Sequence, residues 1–137
     1  MEMICLDTNV LIAHKRAKKI DKDKTFLYQL ATKPYHFAVS SITVYELLRG
    51  DNHDEDVYWQ TMFSNMTVLD FDSQCAEQGA KIYQDLKNRG LLIEAEDLLI
   101  AATALGNKLK LATGNIKHFK RVVGLELVIA DNYDLSN

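Results

Sequence analysis

Proline occurs once and glycine six times in the 137-residue chain, so collagen-like and linker-like architectures fail on composition. Cysteine occurs twice, and Cys5 and Cys75 share no CxxC spacing. A zinc site has no support on that count; two buried free thiols in a reducing compartment are expected instead. The chain also lacks an apolar run of the roughly 20 residues needed to span a membrane. The opening Met-Glu-Met-Ile-Cys-Leu-Asp meets a carboxylate at once and does not read as a secretion signal. The expectation is a cytoplasmic protein. Excess positive charge is missing too, since the formal net charge is -3. A nonspecific nucleic-acid coat would be basic overall, whereas an enzyme acting on RNA needs basic residues only locally. Internal repeats and low-complexity tracts are absent.

Apolar residues make up 47% of the chain and charged residues 26%, spread along its whole length. That excludes disorder and suits one domain over residues 1–137. The polar stretch from Gly50 to Asp56 is too short to separate two domains.

Two periods alternate along the sequence. Short apolar runs predict strands at Met3–Leu6, His36–Val39, Thr67–Phe71, Lys110–Ala112 and Glu126–Ile129. Between them, helices are predicted at Val10–Lys19, Asp23–Ala31, Ile42–Arg49, Asp54–Asn65, Asp72–Arg89 and Glu94–Leu105, with a short one at Asn115–Lys120. Ser40-Ser41 and Asp72-Ser73 read as caps, and Gly50, Gly90 and Gly106 as stops. The alternation predicts an α/β fold: a parallel-rich sheet with helices on both faces.

Four segments carry chemistry. Asp7 ends the first strand, where open α/β sheets bind ligands, although Asp7-Thr8-Asn9 also suits plain helix capping. Glu46 lies in an otherwise apolar helix between Val44 and Leu47-Leu48, where an ionised carboxylate is costly unless paired, metal-bound or at the edge of the face. Glu94, Glu96 and Asp97 crowd a helix start. The helix dipole accounts for one or two of them, and the small-residue face of Ala101, Ala102 and Ala104 turns Asp97 inward. Thr113 and Asn115 follow a strand end as Asp7 does, with capping again the plain alternative. Clustered carboxylates repel unless a cation neutralises them, and oxygen donors suit Mg2+ or Mn2+. Such an ion lowers the pKa of bound water and stabilises charge on a phosphate oxygen. The residues by themselves therefore suggest metal-assisted phosphoester hydrolysis.

The order Leu-Asp7-Thr-Asn, Ser41-Ile-Thr-Val-Tyr-Glu46-Leu, Glu-Asp97-Leu-Leu-Ile-Ala-Ala and Ala-Thr113-Gly-Asn115, with Phe119 beyond, resembles the PIN-domain family and more narrowly its VapC-type toxins. The resemblance runs from Met3 to about Ile129. It implies a three-layer sandwich on four to five parallel strands, and cleavage of single-stranded RNA, with tRNA the usual target, to a 5′-phosphate and a 3′-hydroxyl with Mg2+ or Mn2+. By position, Asp7, Glu46 and Asp97 match the family's characteristic acidic residues. Asn115 matches a fourth position that is often Asp. Thr8 and Thr113 would hold water or metal from behind the carboxylates. A further acidic position just before the Phe holds His118 here. The resemblance also implies a homodimer and a small antitoxin whose C-terminal segment covers the acidic site.

Basic residues crowd two stretches, Lys15 to Lys24 and Lys108 to Arg121, each flanking a site strand. Arg49, one turn beyond Glu46, and Lys117 are the candidates for gripping RNA phosphates, against ordinary solvated surface. Leu27, Leu30, Val57, Tyr58, Trp59, Met62, Phe63 and Met66 are expected to be mostly core, some of them lining a groove or dimer patch. Two other classes compete. One is a catalytically weak PIN-like module that binds RNA or protein. The other is a different acidic phosphotransfer domain: a haloacid-dehalogenase-type hydrolase would want Asp where Asn9 stands, and a receiver would want an acidic partner that Asp70 lacks.

Overall fold

The computed structural model describes residues 1–50 and 52–131. Asp51, inside the polar Gly50–Asp56 stretch, and residues 132–137 lie outside the described residues. Among the described residues, the elements are β1 (Glu2–Leu6), α1 (Thr8–Arg16), a 3-10 turn (Lys19–Lys24), α2 (Phe26–Ala31), β2 (Tyr35–Ser40), α3 (Ser41–Leu48), α4 (His53–Phe63), β3 (Thr67–Leu69), α5 (Ser73–Asn88), α6 (Ala95–Gly106), β4 (Leu111–Ala112), α7 (Ile116–Phe119) and β5 (Leu127–Val128). No helix among them is long and apolar enough to cross a membrane.

All five strands run parallel in the order β3-β2-β1-β4-β5. β1 is central, pairing Cys5 with Ala38 on one side and with Leu111 on the other. The chain winds outward from β1 to β3 and then returns to the opposite side of β1 as β4. The strand order therefore reverses between β1 and β4, and the crevice beyond their carboxyl ends is where such sheets bind ligands.

Alternation along β1 divides the interior between the two faces of the sheet. Ile4 and Leu6 pack with Val10, Leu11, Leu27, Leu30, Val39, Leu47, Trp59 and Phe63 beneath α1 to α4. Cys5 packs with Ile82, Leu86, Leu98, Ile100, Leu111 and Phe119 beneath α5 to α7. Layers on both faces make the expected three-layer α/β sandwich. Both cysteines are free and buried. Of the residues expected to be mostly core, Leu27, Leu30, Trp59 and Phe63 are buried, whereas Val57 is 53% exposed.

Two local expectations are corrected. The helix expected from Asp23 splits into the 3-10 turn and α2, because Thr25 is the cap and accepts from the Tyr28 amide at 3.2 Å. The strand expected to reach Phe71 stops at Leu69. Gly106 ends α6 where a stop was expected, and it also lets that helix approach another. A Cβ there would lie 2.9 Å from Cys75 Sγ and 3.2 Å from Cys75 Cα on α5.

Candidate functional site

Asp7 sits at the capping position of α1, yet its side chain makes no capping hydrogen bond. Instead Asp7 Oδ2 accepts from Thr113 Oγ1 at 2.8 Å, across the junction of β1 and β4. The two strand ends are tied directly as well, with the Asp7 amide donating to Ala112 O at 2.9 Å. Thr113 in turn accepts from the Asn115 amide at 2.9 Å. The carboxylate is 1% exposed. Capping therefore does not explain Asp7, and the switch-point crevice holds its side chain.

Glu46 approaches from α3. Its Oε1 accepts from Thr8 Oγ1 at 2.9 Å, and Thr8 also touches Thr43 Oγ1 at 2.9 Å. Asp97 stands on the first turn of α6, half-buried, while Glu94 at the capping position is exposed and makes no side-chain cap. Asn115 likewise makes no cap; its Nδ2 lies 3.0 Å from His118 Nδ1. Thr113 is wholly buried, Asn115 and His118 partly so, and Lys117 is exposed.

The electrostatics are one-sided. Burial pushes the Asp7 carboxyl up to about 6, and the nearby charges of Asp97 and Glu46 push it the same way. Asp97 is raised by burial first, then by Glu94 and Glu46, with His118 acting in the opposite sense. Among the described residues, no lysine or arginine forms an ion pair with Asp7, Glu46 or Asp97. Asp7, Glu46 and Asp97 thus share one field, and among the described residues only His118 is seen to offset its negative charge, at Asp97. Among the described residues, no three acidic, imidazole or thiol groups stand close enough to enclose a metal ion by themselves. The donor set is oxygen, the donor type that hard cations such as Mg2+ take together with part of their water shell.

Beside Glu46 opens a cleft of about 280 Å³, lined by Lys15, Arg16, Arg49, Glu55 and Trp59. Arg49 is exposed, its guanidinium 5.7 Å from the Tyr45 ring centroid, and Lys15 pairs with Glu55 at 3.3 Å. Part of the first basic stretch therefore reaches the site. Lys22 does not: it donates to the carbonyls of His14 and Lys15 at the end of α1. The second stretch is divided. Lys108 and Lys110 lie at the amino ends of the strands, opposite Asp7, with Lys110 pairing to Glu2 and Glu126.

Sequence reasoning missed Ser40 and Thr43 as parts of the site. Both are fully buried and linked to Glu46 through Thr8. Ser40 and Ser41 read as a helix cap, and Thr43 only as part of the motif around Glu46. A second buried hydroxyl one turn before a carboxylate was the available signal.

An all-parallel sheet with carboxylates at its switch point defines an acidic-site α/β domain. The PIN-domain family model matches residues 4–125, and the chain belongs to that family, as a member of its VapC type. Ribonuclease VapC2 of Rickettsia felis is 31% identical over 137 aligned positions, spanning 94% of this chain and 96% of that protein. Ribonuclease VapC1 of Methanocaldococcus jannaschii is 32% identical over 129, spanning 93% and 87%. Among solved structures, VapBC2 from Rickettsia felis bound to a promoter DNA fragment includes a chain that matches with a TM-score of 0.77 at 27% identity, covering 94% of this chain and 99% of that one.

Proposed function

We propose that the protein is a metal-dependent endoribonuclease acting as the toxin of a toxin–antitoxin pair. The observation that carries this reading is Asp7: a buried carboxylate, not used as a cap, facing Asp97 and Glu46 with no lysine or arginine paired to it among the described residues. The relatives named ribonucleases give the substrate class.

Asp7, Glu46 and Asp97 would hold Mg2+ or Mn2+, directly or through water. Bound there, the ion supplies an acidified water and a counter-charge for the phosphate oxygen. The chain's own residues do the rest. Thr113 fixes the Asp7 carboxylate and Thr8 fixes that of Glu46. Asn115 lines the opposite wall with His118. Arg49, with Lys15 and Arg16, draws RNA phosphates into the cleft beside Glu46, and exposed Lys117 grips the strand at the other rim.

The partner is a cognate antitoxin, since the solved neighbours from Rickettsia felis and Salmonella typhimurium are VapBC complexes. The protein works in the cytoplasm as a homodimer. A relative from Salmonella typhimurium, 26% identical over 119 positions, is named a tRNA(fMet)-specific endonuclease, which makes tRNA the first RNA to test.

The test is antitoxin-free protein incubated with total RNA and with tRNA in Mg2+, Mn2+ or EDTA. Cleavage that requires metal and leaves 5′-phosphate ends is expected. Cleavage indifferent to EDTA, or ends bearing a cyclic phosphate, would refute the mechanism. Binding of RNA and Mn2+ without any cleavage would favour a non-catalytic binding module.

A further inference from the structure

Four polar groups behind Glu46 form a directed chain. The Thr43 amide donates to Ser40 Oγ at 3.1 Å, and Ser40 Oγ donates to Thr43 Oγ1 at 3.3 Å. Thr43 and Thr8 meet at 2.9 Å, and Thr8 Oγ1 donates to Glu46 Oε1 at 2.9 Å. Each hydroxyl has one proton. Thr8 gives its proton to Glu46, so the proton between the two threonines must come from Thr43. Thr43 is then free to accept from Ser40, whose own oxygen accepts the Thr43 amide. Every proton in the chain points toward the carboxylate. Ser40 and Thr43 are 0% exposed and Thr8 is 5% exposed, so water cannot substitute along most of its length. Polarised chains of this kind strengthen each member bond.

From this geometry we infer that Thr43, backed by Ser40, is a positioning residue for Glu46. By donating to Thr8 Oγ1 it fixes the orientation of that hydroxyl, so that the Thr8 proton points at the Glu46 carboxylate. The arrangement also joins two elements: Thr8 opens α1, whereas Ser40, Thr43 and Glu46 belong to the end of β2 and to α3. The relay therefore fixes α3 against α1 at the point where the cleft opens. Asp7 has the parallel device on the other wall, running from the Asn115 amide through Thr113 Oγ1 to Asp7 Oδ2. The inference rests on the ribonuclease reading only for its kinetic consequence. Its geometric claim stands apart.

The experiment compares Thr43→Val, which keeps the shape and loses the hydroxyl, with Thr43→Ser, which keeps the hydroxyl and loses a methyl. In metal-free crystals, Glu46 is expected to leave Thr8 in Thr43→Val and to hold it in Thr43→Ser. Mn2+ affinity by calorimetry and kcat on RNA are each expected to fall about 10-fold in Thr43→Val, with KM little changed, and Thr43→Ser is expected to restore both. A purely packing role predicts the reverse order, because Val fills the site better than Ser. Glu46 remaining on Thr8 in Thr43→Val, or Thr43→Ser failing alongside it, overturns the inference. If the unaltered protein neither binds Mn2+ nor cuts RNA, the ribonuclease reading falls, and the metal-free Glu46 position still decides the relay.

Discussion

Replacing Asp7 by Asn should stabilise the metal-free protein at neutral pH while removing its proposed activity. Asp7 is buried beside two other carboxylates, and its carboxyl is pushed from 3.8 up to about 6. A carboxyl whose folded pKa lies above its unfolded value stabilises the fold only while protonated. Its contribution is complete below about pH 4 and lost as pH rises through about 6. The shift is about 2 units, and each unit is worth about 1.4 kcal/mol, so ionising Asp7 costs the metal-free fold about 3 kcal/mol. Thr113 Oγ1 can still donate to the amide oxygen of Asp7→Asn, so the geometry survives. The unfolding free energy of Asp7→Asn minus that of the unaltered protein should therefore rise by about 3 kcal/mol between about pH 4 and about pH 8. In melting temperature this is roughly 10 °C for a chain of this size. Any constant penalty of the amide cancels in the comparison across pH. Urea titrations in EDTA at several pH values measure it. Adding Mn2+ at about 100 times its Kd should return about 2.7 kcal/mol to the unaltered protein and little to the variant. A difference that stays flat with pH, or grows toward acid, would refute the reasoning.

Arg49→Ala should raise KM for RNA several-fold and leave kcat and melting temperature nearly unchanged, because Arg49 is exposed at the rim of the cleft. The salt dependence of RNA binding should weaken by about one phosphate contact, read from the slope of log K against log salt. Gly106→Ala should destabilise by about 1–3 kcal/mol through the Cys75 backbone, measured by chemical denaturation. Asp72→Ala should cost about 1 kcal/mol by removing the α5 cap, without touching RNA cleavage.

Much of the fold was legible because its signals are local. The apolar Ile4-Cys5-Leu6 run before Asp7 marked both a buried strand and the site at its end, and the three-layer arrangement followed from alternation. The strand order was not legible, since nothing in β4 names β1 as its neighbour. The 3-10 turn was missed because Lys19–Lys24 has no apolar period, and because Asp23 looks as good a cap as Thr25. Gly106 was legible as a helix end, whereas its close approach to Cys75 is a tertiary fact. Among the site residues, Asp7, Glu46 and Asp97 do share one electrostatic environment. Lys108 and Lys110 were misplaced, although they precede β4 and a parallel sheet puts strand beginnings at the far edge. The relay behind Glu46 was invisible because Thr8 and Thr43 meet only after β1 and β2 have paired.

The most direct test of the central claim compares the unaltered protein with Asp7→Asn, Glu46→Gln and Asp97→Asn, measuring Mn2+ binding and RNA cleavage on the same samples. If the three carboxylates serve one cation, each variant loses Mn2+ affinity and cleaves at least about 100-fold more slowly while remaining folded. Cleavage that survives any one of these substitutions with Mn2+ affinity unchanged would contradict the account.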